Sequence, residues 1–266
     1  MSWPECISFT LQFEGGYDAN PRDRGNWTTG VIGQGELKGT KYGIAAHVYP
    51  HLDIKNLTKE EAIAIYRRDY WPKVAGDSQP EGVNLVAWDI CVNSGSSRAT
   101  AIQGKALGTA VRSATGLATL AQRTPDKPGQ VKKMCALRAS FYRSLSSFDT
   151  FGKGWLRRNA ACEVKGVSMA LRAENKTPEE IKKRLGEEAK KADVAKKGNA
   201  TGGTVTGGGA AVESTTSTWD FSWWTLFEFA LLLALMIVAL YFVRKTLWHN
   251  ERVKAYVEAV RTFIRS

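Results

Sequence analysis

The sequence has few of the residues from which metal and redox sites are built. It holds 3 histidines and 4 cysteines in 266 residues. The cysteines at positions 6, 91, 135 and 162 form no CxxC pair, and the histidines lack metal-ligand spacing. This pattern excludes a zinc ribbon and a thioredoxin-like site, so we expect no metal and no cofactor. The neighbours of the cysteines are apolar, which predicts buried free thiols. A disulfide is the alternative if the domain reaches an oxidising compartment.

Several functional classes are excluded by absent motifs. No glycine-rich phosphate loop and no serine or cysteine nucleophile motif occurs. The net charge of +11 suits nucleic acid, an anionic membrane surface or an anionic cell-wall polymer. No zinc-finger or helix-turn-helix pattern is present, so we expect no nucleic acid as partner. The first residues lack a basic region and an unbroken apolar core, which predicts no cleaved signal peptide.

The first 175 residues have helical periodicity and weak strand signals. Ser2 with Glu5, and Thr58 with Glu61, have the spacing of capping boxes, and the first helix is expected to run to about Glu14. Apolar residues at helical spacing predict further helices near 83–94, 99–107, 117–122, 131–145 and 151–169. We therefore expect a mainly α fold, with at most a small irregular or hairpin region between Tyr17 and Gly39.

The last third of the chain changes composition three times. Residues 176–197 are charged and alanine-rich after the capping sequence TPEE, which predicts a solvated spacer helix. Residues 198–218 have the composition of a flexible linker. Residues 221–243 are apolar over about the 20 residues that cross a bilayer, with aromatic residues at both ends. A single transmembrane helix is predicted there.

Basic residues indicate the orientation of that helix. Residues 198–243 contain no lysine or arginine, whereas residues 244–266 contain six. The positive-inside rule places the C-terminus in the cytoplasm of a bacterium and the large N-terminal domain outside the inner membrane. That orientation would require export of about 220 residues ahead of their only hydrophobic segment. This requirement favours instead a tail anchor whose N-terminal domain stays in the cytoplasm. Residues 247–265 predict a basic amphipathic helix on an anionic leaflet, or a soluble helix packed on a partner.

The motif EGGY at residues 14–17 is the strongest chemical signal. Glu14 ends a predicted helix, a glycine pair turns the chain, and Asp23 follows on an irregular segment. Glycoside hydrolysis uses a carboxylic acid to protonate the leaving oxygen and a polar partner across the sugar ring. The helix dipole and the apolar neighbour Phe13 would both raise the pKa of Glu14 and keep a proton available.

The chain resembles glycoside hydrolase family 108, the bacterial and phage N-acetylmuramidases, over about residues 5–175. The matching motifs of the catalytic half are EGGY at 14–17, NPRDRG at 20–25, TKYGI at 40–44 and IYRRDYW at 65–71. The following half resembles the helical peptidoglycan-binding domain of that family through GVNLVAWD at 82–89 and VNSG at 92–95. We therefore expect a lysozyme-like catalytic domain at 1–80 and a peptidoglycan-binding domain at 81–175. An insertion at about 26–39 departs from the family pattern.

The resemblance implies roles for three residues. The glutamate of EGGY is the catalytic acid of the family, which corresponds to Glu14. Asp23 is the candidate to stabilise the transition state or orient water, although a turn aspartate is the alternative. A threonine completes phage lysozyme sites: Thr29 fits the literal spacing, while the TKYGI motif favours Thr40.

Aromatic and polar residues near these motifs are candidates for sugar binding. Aromatic rings stack on sugar faces, although in such a domain they more often belong to the core. Asp89 and Asn93 lie four residues apart and share a helical face, with a structural hydrogen-bonding pair as the alternative. The candidates for substrate binding are Tyr17, Tyr42, Tyr70, Trp71, Asp89 and Asn93.

The sequence thus predicts a membrane-anchored peptidoglycan hydrolase that cuts the β-1,4 bond between N-acetylmuramic acid and N-acetylglucosamine. Its partners would be the glycan strand, the bilayer at 221–243 and a holin, as in a phage or prophage endolysin. A wall-remodelling enzyme serving secretion is the second context. A non-catalytic peptidoglycan-binding anchor and a holin- or spanin-like structural membrane protein are the rivals.

Overall fold

The chain is mainly α-helical, as predicted. The computed structural model describes residues 2–202 and 223–265, with side chains from 2 to 198 and from 230 to 263. The helices are α1 Trp3–Leu11, α2 Lys59–Asp69, α3 Val83–Ser94, α4 Ser96–Leu107, α5 Ala114–Arg123, α6 Lys127–Arg143, α7 Phe148–Ala173, α8 Pro178–Gly202 and α9 Trp223–Arg265. Two short strands, β1 Thr40–Lys41 and β2 Ile44–Ala45, pair antiparallel.

Two of the predicted capping signals are confirmed. The Thr58 hydroxyl accepts a hydrogen bond from the Glu61 backbone N–H at 3.2 Å, and the Glu61 carboxylate accepts one from Thr58 N–H at 2.7 Å. Thr177 and Glu180 make the same reciprocal pair at the start of α8. Each pair satisfies backbone donors that a helix N-terminus leaves free, which fixes where these helices begin.

The expected cap of the first helix is wrong. No side chain caps α1, and the Asn84 amide donates to the Ser2 hydroxyl instead. The Glu5 carboxylate pairs with Lys165 at 2.6 Å and Arg172 at 2.7 Å. The helix ends at Leu11, so Glu14 lies three residues beyond it in the following turn. Tertiary partners therefore override the local capping pattern.

The described chain divides into two compact units. The first comprises residues up to Arg138 together with Lys165–Lys176, and the second comprises Ala139–Val164 and the residues from Thr177 onward. The domain boundary expected at 80/81 lies inside the first unit. Helix α3 follows that position, is buried along Val83–Cys91 and packs on α1. Helix α3 therefore shares a hydrophobic core with α1.

Trp88 on α3 occupies the centre of the first unit. Its ring makes edge-to-face contacts with Trp3 at 5.2 Å, Trp71 at 5.7 Å and Tyr66 at 5.5 Å between centroids. Its indole N–H donates to the Thr10 hydroxyl at 2.8 Å, so its one polar group is satisfied. Helices α1, α2 and α3 are therefore fixed to one another through a single buried side chain.

A buried ion pair joins α3 to α6. Arg138 Nη1 lies 2.6 Å from Asp89 Oδ2, and neither side chain has any exposed surface. The same guanidinium donates to the Asp89 carbonyl oxygen at 3.3 Å, and the Thr10 hydroxyl lies 3.5 Å from Asp89 Oδ1. Such a pair is costly to break because removing one partner leaves an uncompensated buried charge.

The second unit changes two expectations about the C-terminal third. Helix α8 is not solvated on every side, because Ile181, Leu185 and Ala192 are buried. The helix runs to Gly202, so the first residues of the expected linker are helical, and most of that linker lies outside the described residues. The separate amphipathic helix expected at 247–265 is the continuation of α9.

Helix α9 has an apolar part and a packed part. Large apolar side chains between Leu231 and Val243 are exposed, while Trp248 and Tyr256 are buried. The stretch Ala230–Phe263 is long and apolar enough to cross a membrane. Exposure of so many contiguous apolar side chains indicates contact with lipid or with another apolar surface.

The buried ion pair gives a stability prediction. Arg138→Met leaves Asp89 charged and unpaired in the core, and we expect the full-length chain to lose about 3–5 kcal/mol of unfolding free energy. Arg68→Met is the matched control, because Arg68 is 68% exposed in its pair with Asp69. Its loss should stay below about 1 kcal/mol. Urea denaturation followed by tryptophan fluorescence measures both, and equal losses would contradict the structure.

The cysteines give a reactivity prediction. All four are free and buried, as expected, and burial raises the pKa of the Cys91 thiol to about 11. Because only the thiolate reacts, we expect native protein at pH 8 to be alkylated by iodoacetamide at least about tenfold more slowly than urea-unfolded protein. Mass spectrometry counts the labels. Rapid modification of the native chain would contradict this burial.

Candidate functional site

Glu14 lies in the turn between α1 and the strand region. Its side chain is half-buried, and the turn is tied to the hairpin because the Gly15 carbonyl oxygen accepts a hydrogen bond from Tyr42 N–H at 3.1 Å. The turn that carries this carboxyl group is therefore fixed to the hairpin directly after Glu14. A half-buried carboxyl in a fixed turn can meet a substrate and still lose part of its hydration.

The hairpin β1–β2 turns at Tyr42 and Gly43. The register pairs Thr40 with Ala45 and Lys41 with Ile44, so these two residues form the whole loop. Their φ angles are +50° and +76°, the combination of a type I′ turn. The geometry of a tight hairpin thus explains the glycine of the TKYGI motif, whereas Tyr42 has a left-handed backbone angle that is uncommon for a bulky residue.

Gly43 also has no room for a side chain. A Cβ atom there would lie 2.2 Å from the Tyr66 hydroxyl and 2.8 Å from Glu14 Oε2. Both oxygens therefore approach the same face of the hairpin tip and lie within about 5 Å of each other. The missing side chain of Gly43 creates the space in which these two groups meet.

Tyr66 lies in the motif IYRRDYW and was not among the residues expected to form the site. It is 1% exposed, and its hydroxyl donates to the Tyr42 carbonyl oxygen at 2.9 Å. Its ring packs edge-on against Trp88 at 5.5 Å, which connects the hairpin tip to the core. An apolar helix face gives the same sequence signal whether or not one member carries a useful hydroxyl, so the pattern could not identify this residue.

Asp23 and Thr40 have structural partners of their own. Asp23 is exposed and caps the 3-10 turn Arg24–Asn26, since its Oδ1 accepts from Gly25 N–H at 2.8 Å. The Thr40 hydroxyl donates to Asn26 Oδ1 at 2.7 Å. Asn26 in turn donates to Asp18 Oδ2 at 3.1 Å. Asp23 thus has the turn geometry named as its alternative, while its other carboxylate oxygen takes no part in that cap.

Asn26 organises the strand region and was not identified from sequence. It is completely buried, and its carbonyl oxygen accepts from the N–H groups of Lys38 and Gly39, both at 3.0 Å. The inserted residues between these positions fold back on themselves through a bridge between Trp27 and Leu37. Thr40 therefore returns to the side of Asn26. Thr29 lies within this inserted segment, the excursion at residues 27–37, where its hydroxyl donates to the Gln34 carbonyl oxygen at 2.8 Å.

The expected sugar-binding residues divide into accessible and buried groups. Tyr17 is 41% exposed, Tyr42 and Tyr70 are half-buried, and Asn93 is exposed at the end of α3. Trp71 is 2% exposed in the tryptophan cluster, and Asp89 is the core partner of Arg138. A glycan cannot reach these last two side chains in this conformation, so the expectation for Trp71 and Asp89 is corrected.

A second carboxylate near α2 is held as a permanent anion. The Arg68 guanidinium donates hydrogen bonds to Asp69 and is the main cause that lowers the pKa of that carboxyl to about 2. Partial desolvation opposes this shift, and a hydrogen bond from the Tyr49 hydroxyl at 2.8 Å adds to it. Burial is the main cause that raises the pKa of Tyr49, and it also raises that of Tyr70. Asp69 is therefore unsuited to donate a proton near neutral pH.

Among the described residues no cluster of three His, Cys, Asp or Glu side chains could hold a metal ion.

Comparison with known proteins places this geometry in a family context. Residues 7–95 match the family Glycosyl hydrolase 108. The solved structure of SagA from Brucella abortus matches with a TM-score of 0.53 and 26% sequence identity, over 64% of this chain and 95% of that one. No curated protein matches the chain. The family match includes Glu14, the hairpin, Tyr66 and most of α3.

The crowded hairpin tip gives a stability prediction. Gly43→Ala adds a Cβ atom against Tyr66 and Glu14 at a positive φ angle, whereas Gly33→Ala adds one at φ +79° with nothing within 4 Å. The control should lose about 1 kcal/mol from backbone strain alone, and Gly43→Ala at least about 1–2 kcal/mol more. Thermal denaturation of both full-length variants measures the difference. Equal losses would mean that the tip is open.

Proposed function

We propose that this chain is a lysozyme-like N-acetylmuramidase that cleaves the β-1,4 bond between N-acetylmuramic acid and N-acetylglucosamine in peptidoglycan. The observation that carries the proposal is the half-buried Glu14 carboxyl, held beside Gly43 and Tyr66 within the segment that matches Glycosyl hydrolase 108. The similarity to SagA, which extends over 95% of that chain, supports a fold shared with that protein.

In the proposed reaction Glu14 is the general acid. Its carboxyl proton passes to the glycosidic oxygen as the bond from that oxygen to the anomeric carbon breaks. Positive charge develops on the sugar ring, and a water molecule supplies the hydroxyl of the new reducing end and returns a proton. Asp23 or Thr40 is the candidate to stabilise this charge or to orient the water, and Thr40 lies on β1, the strand that leads to the hairpin tip beside Glu14.

Tyr66 acts in this scheme by positioning. Its hydroxyl fixes the Tyr42 carbonyl oxygen at 2.9 Å, and Tyr42 N–H fixes the Gly15 carbonyl oxygen at 3.1 Å. The turn that carries Glu14 is therefore linked to α2 through two hydrogen bonds. Proton transfer depends on geometry within a few tenths of an ångström, so a tethered turn is better suited to it than a mobile one.

Accessible aromatic and polar residues would hold the glycan. Tyr17, Tyr42 and Tyr70 offer ring faces for stacking on sugars, and Asn93 offers an exposed amide. The helices at 81–175 are proposed to grip the glycan or its peptide. The basic balance of the chain suits an anionic wall polymer.

The C-terminal part is proposed to anchor the enzyme in the inner membrane as a single span. The exposed apolar part of α9 supports this, and the six basic residues from 244 onward favour a cytoplasmic C-terminus with the catalytic domain in the periplasm. A phage or prophage endolysin, with a holin as partner, is the proposed context, and wall remodelling for secretion is the second one.

The acid role gives the main activity prediction. Glu14→Gln keeps the shape of the side chain but replaces the carboxylic acid with an amide that cannot serve as a general acid, so we expect release of soluble muropeptides from purified Gram-negative sacculi to fall about 10²–10⁴-fold. Full-length protein in mild detergent is used throughout. Glu36→Gln is the matched control, because Glu36 is 73% exposed in the excursion and should retain full activity.

Two results would contradict this assignment. Undiminished release by Glu14→Gln would remove Glu14 from the reaction. Binding of the native chain to sacculi without any release would leave a non-catalytic peptidoglycan-binding anchor.

A further inference from the structure

The C-terminal tail segment, residues 244–263, packs onto helices of its own chain. Trp248 is 4% exposed and Tyr256 is completely buried, and α8 is the main neighbour of α9. Tyr256 belongs to the apolar face that the sequence offered to a membrane surface. In the structure its side chain is covered by protein.

Complementary charges hold the tail segment in place. Glu163 on α7 is 1% exposed and accepts hydrogen bonds from Arg252 Nε and the Tyr256 hydroxyl, both at 2.8 Å. Arg252 also lies 3.8 Å from Glu188 on α8. Nearer the apolar part, Arg244 pairs with Asp149 at 2.8 Å. The basic tail therefore has a specific acidic groove on α7 and α8.

The tail segment is continuous with the apolar part of α9. One helix runs from Trp223 to Arg265. Between Leu231 and Val243 most of its large apolar side chains are 37–63% exposed. If residues 225–243 cross a bilayer, Trp223 and Arg244 lie on opposite sides of about 30 Å of hydrocarbon. The docked tail would then hold α8 on the same side of the membrane as Arg244.

The connection between α8 and α9 does not permit that arrangement. Residues 203–222 would have to cross the bilayer to reach Trp223, yet they are mainly Gly, Thr and Ser and include Glu213 and Asp220. Hydrocarbon admits only helices or closed barrels that satisfy every backbone polar group, and a lone segment of this composition is not apolar enough to insert. A single span by residues 225–243 and a docked tail segment therefore exclude each other.

We propose that the tail segment is a detachable cover that docks on α7 and α8 before insertion and leaves them when residues 225–243 cross the membrane. Release separates Arg252 from Glu163 and exposes the acidic groove around Glu188. This inference rests on the membrane topology in the proposed function, in which the catalytic domain and the C-terminus lie on opposite sides. Insertion is then opposed by a specific ionic contact within the chain.

Cysteine labelling of the full-length protein tests this cover. Glu188→Cys places a thiol under the docked tail, and Lys190→Cys places one on the exposed side of the same helix. In detergent micelles we expect a membrane-impermeant maleimide to label Glu188→Cys at least about tenfold more slowly than Lys190→Cys. In vesicles of phosphatidylethanolamine and phosphatidylglycerol, the two rates should become similar.

The outcomes separate clearly. Equal labelling in micelles would show that the tail does not dock. Continued protection of Glu188→Cys in chains that resist carbonate extraction would show that docking and spanning coexist, which overturns the proposal. Failure of any chain to resist extraction would remove the membrane topology and the cover together, without affecting cleavage of sacculi.

A charge reversal provides the second test. Arg252→Glu, added to Glu188→Cys, should abolish protection in micelles because it sets like charges beside Glu163. Arg261→Glu is the control, because Arg261 is 66% exposed and should leave protection intact. Muropeptide release by both chains checks that they are folded. Persistent protection of the Glu188→Cys thiol in the Arg252→Glu chain would contradict the ionic contact. The Glu14→Gln experiment tests the proposed enzymatic activity separately and has no bearing on the tail.

Discussion

The position of Trp88 is the constraint on which the rest of the first unit depends. Its indole N–H fixes Thr10 on α1, and its ring fixes Tyr66 on α2. Glu14 follows α1 by three residues, and Tyr66 reaches the hairpin tip, so both components of the candidate site take their positions from this one side chain. A packed indole with a satisfied N–H sets such distances more reliably than surface contacts do.

The hairpin tip turns this rigid frame into a chemical arrangement. Backbone angles at Tyr42 and Gly43 make a two-residue turn, and the absent side chain of Gly43 leaves space for Glu14 beside the Tyr66 hydroxyl. Asn26 closes the inserted segment at its base, because its backbone carbonyl oxygen binds Lys38 and Gly39 and its side chain binds Thr40. The inserted residues therefore begin and end beside Thr40.

Local signals could be read from the sequence, and distant pairings could not. The Thr58–Glu61 box and the helix at 83–94 follow from neighbours within a few residues, whereas the hairpin at Thr40–Ala45 lies just beyond the region in which one was expected. Asp89 looked like a groove residue because its partner is 49 positions away, at Arg138. Periodicity reports which face is apolar but not which distant charge meets it, and the same limit concealed the docking of the C-terminal tail on α7 and α8.

The central claim is that this chain hydrolyses a specific bond in peptidoglycan, and the identity of the new chain ends tests it most directly. Sacculi digested by the full-length protein would be reduced with borohydride and analysed by mass spectrometry. The account predicts that every new reducing end is N-acetylmuramic acid, which appears as its alcohol, because water adds to that sugar after Glu14 protonates the leaving oxygen. New ends at N-acetylglucosamine, anhydro ends formed without water, or no new ends would contradict it.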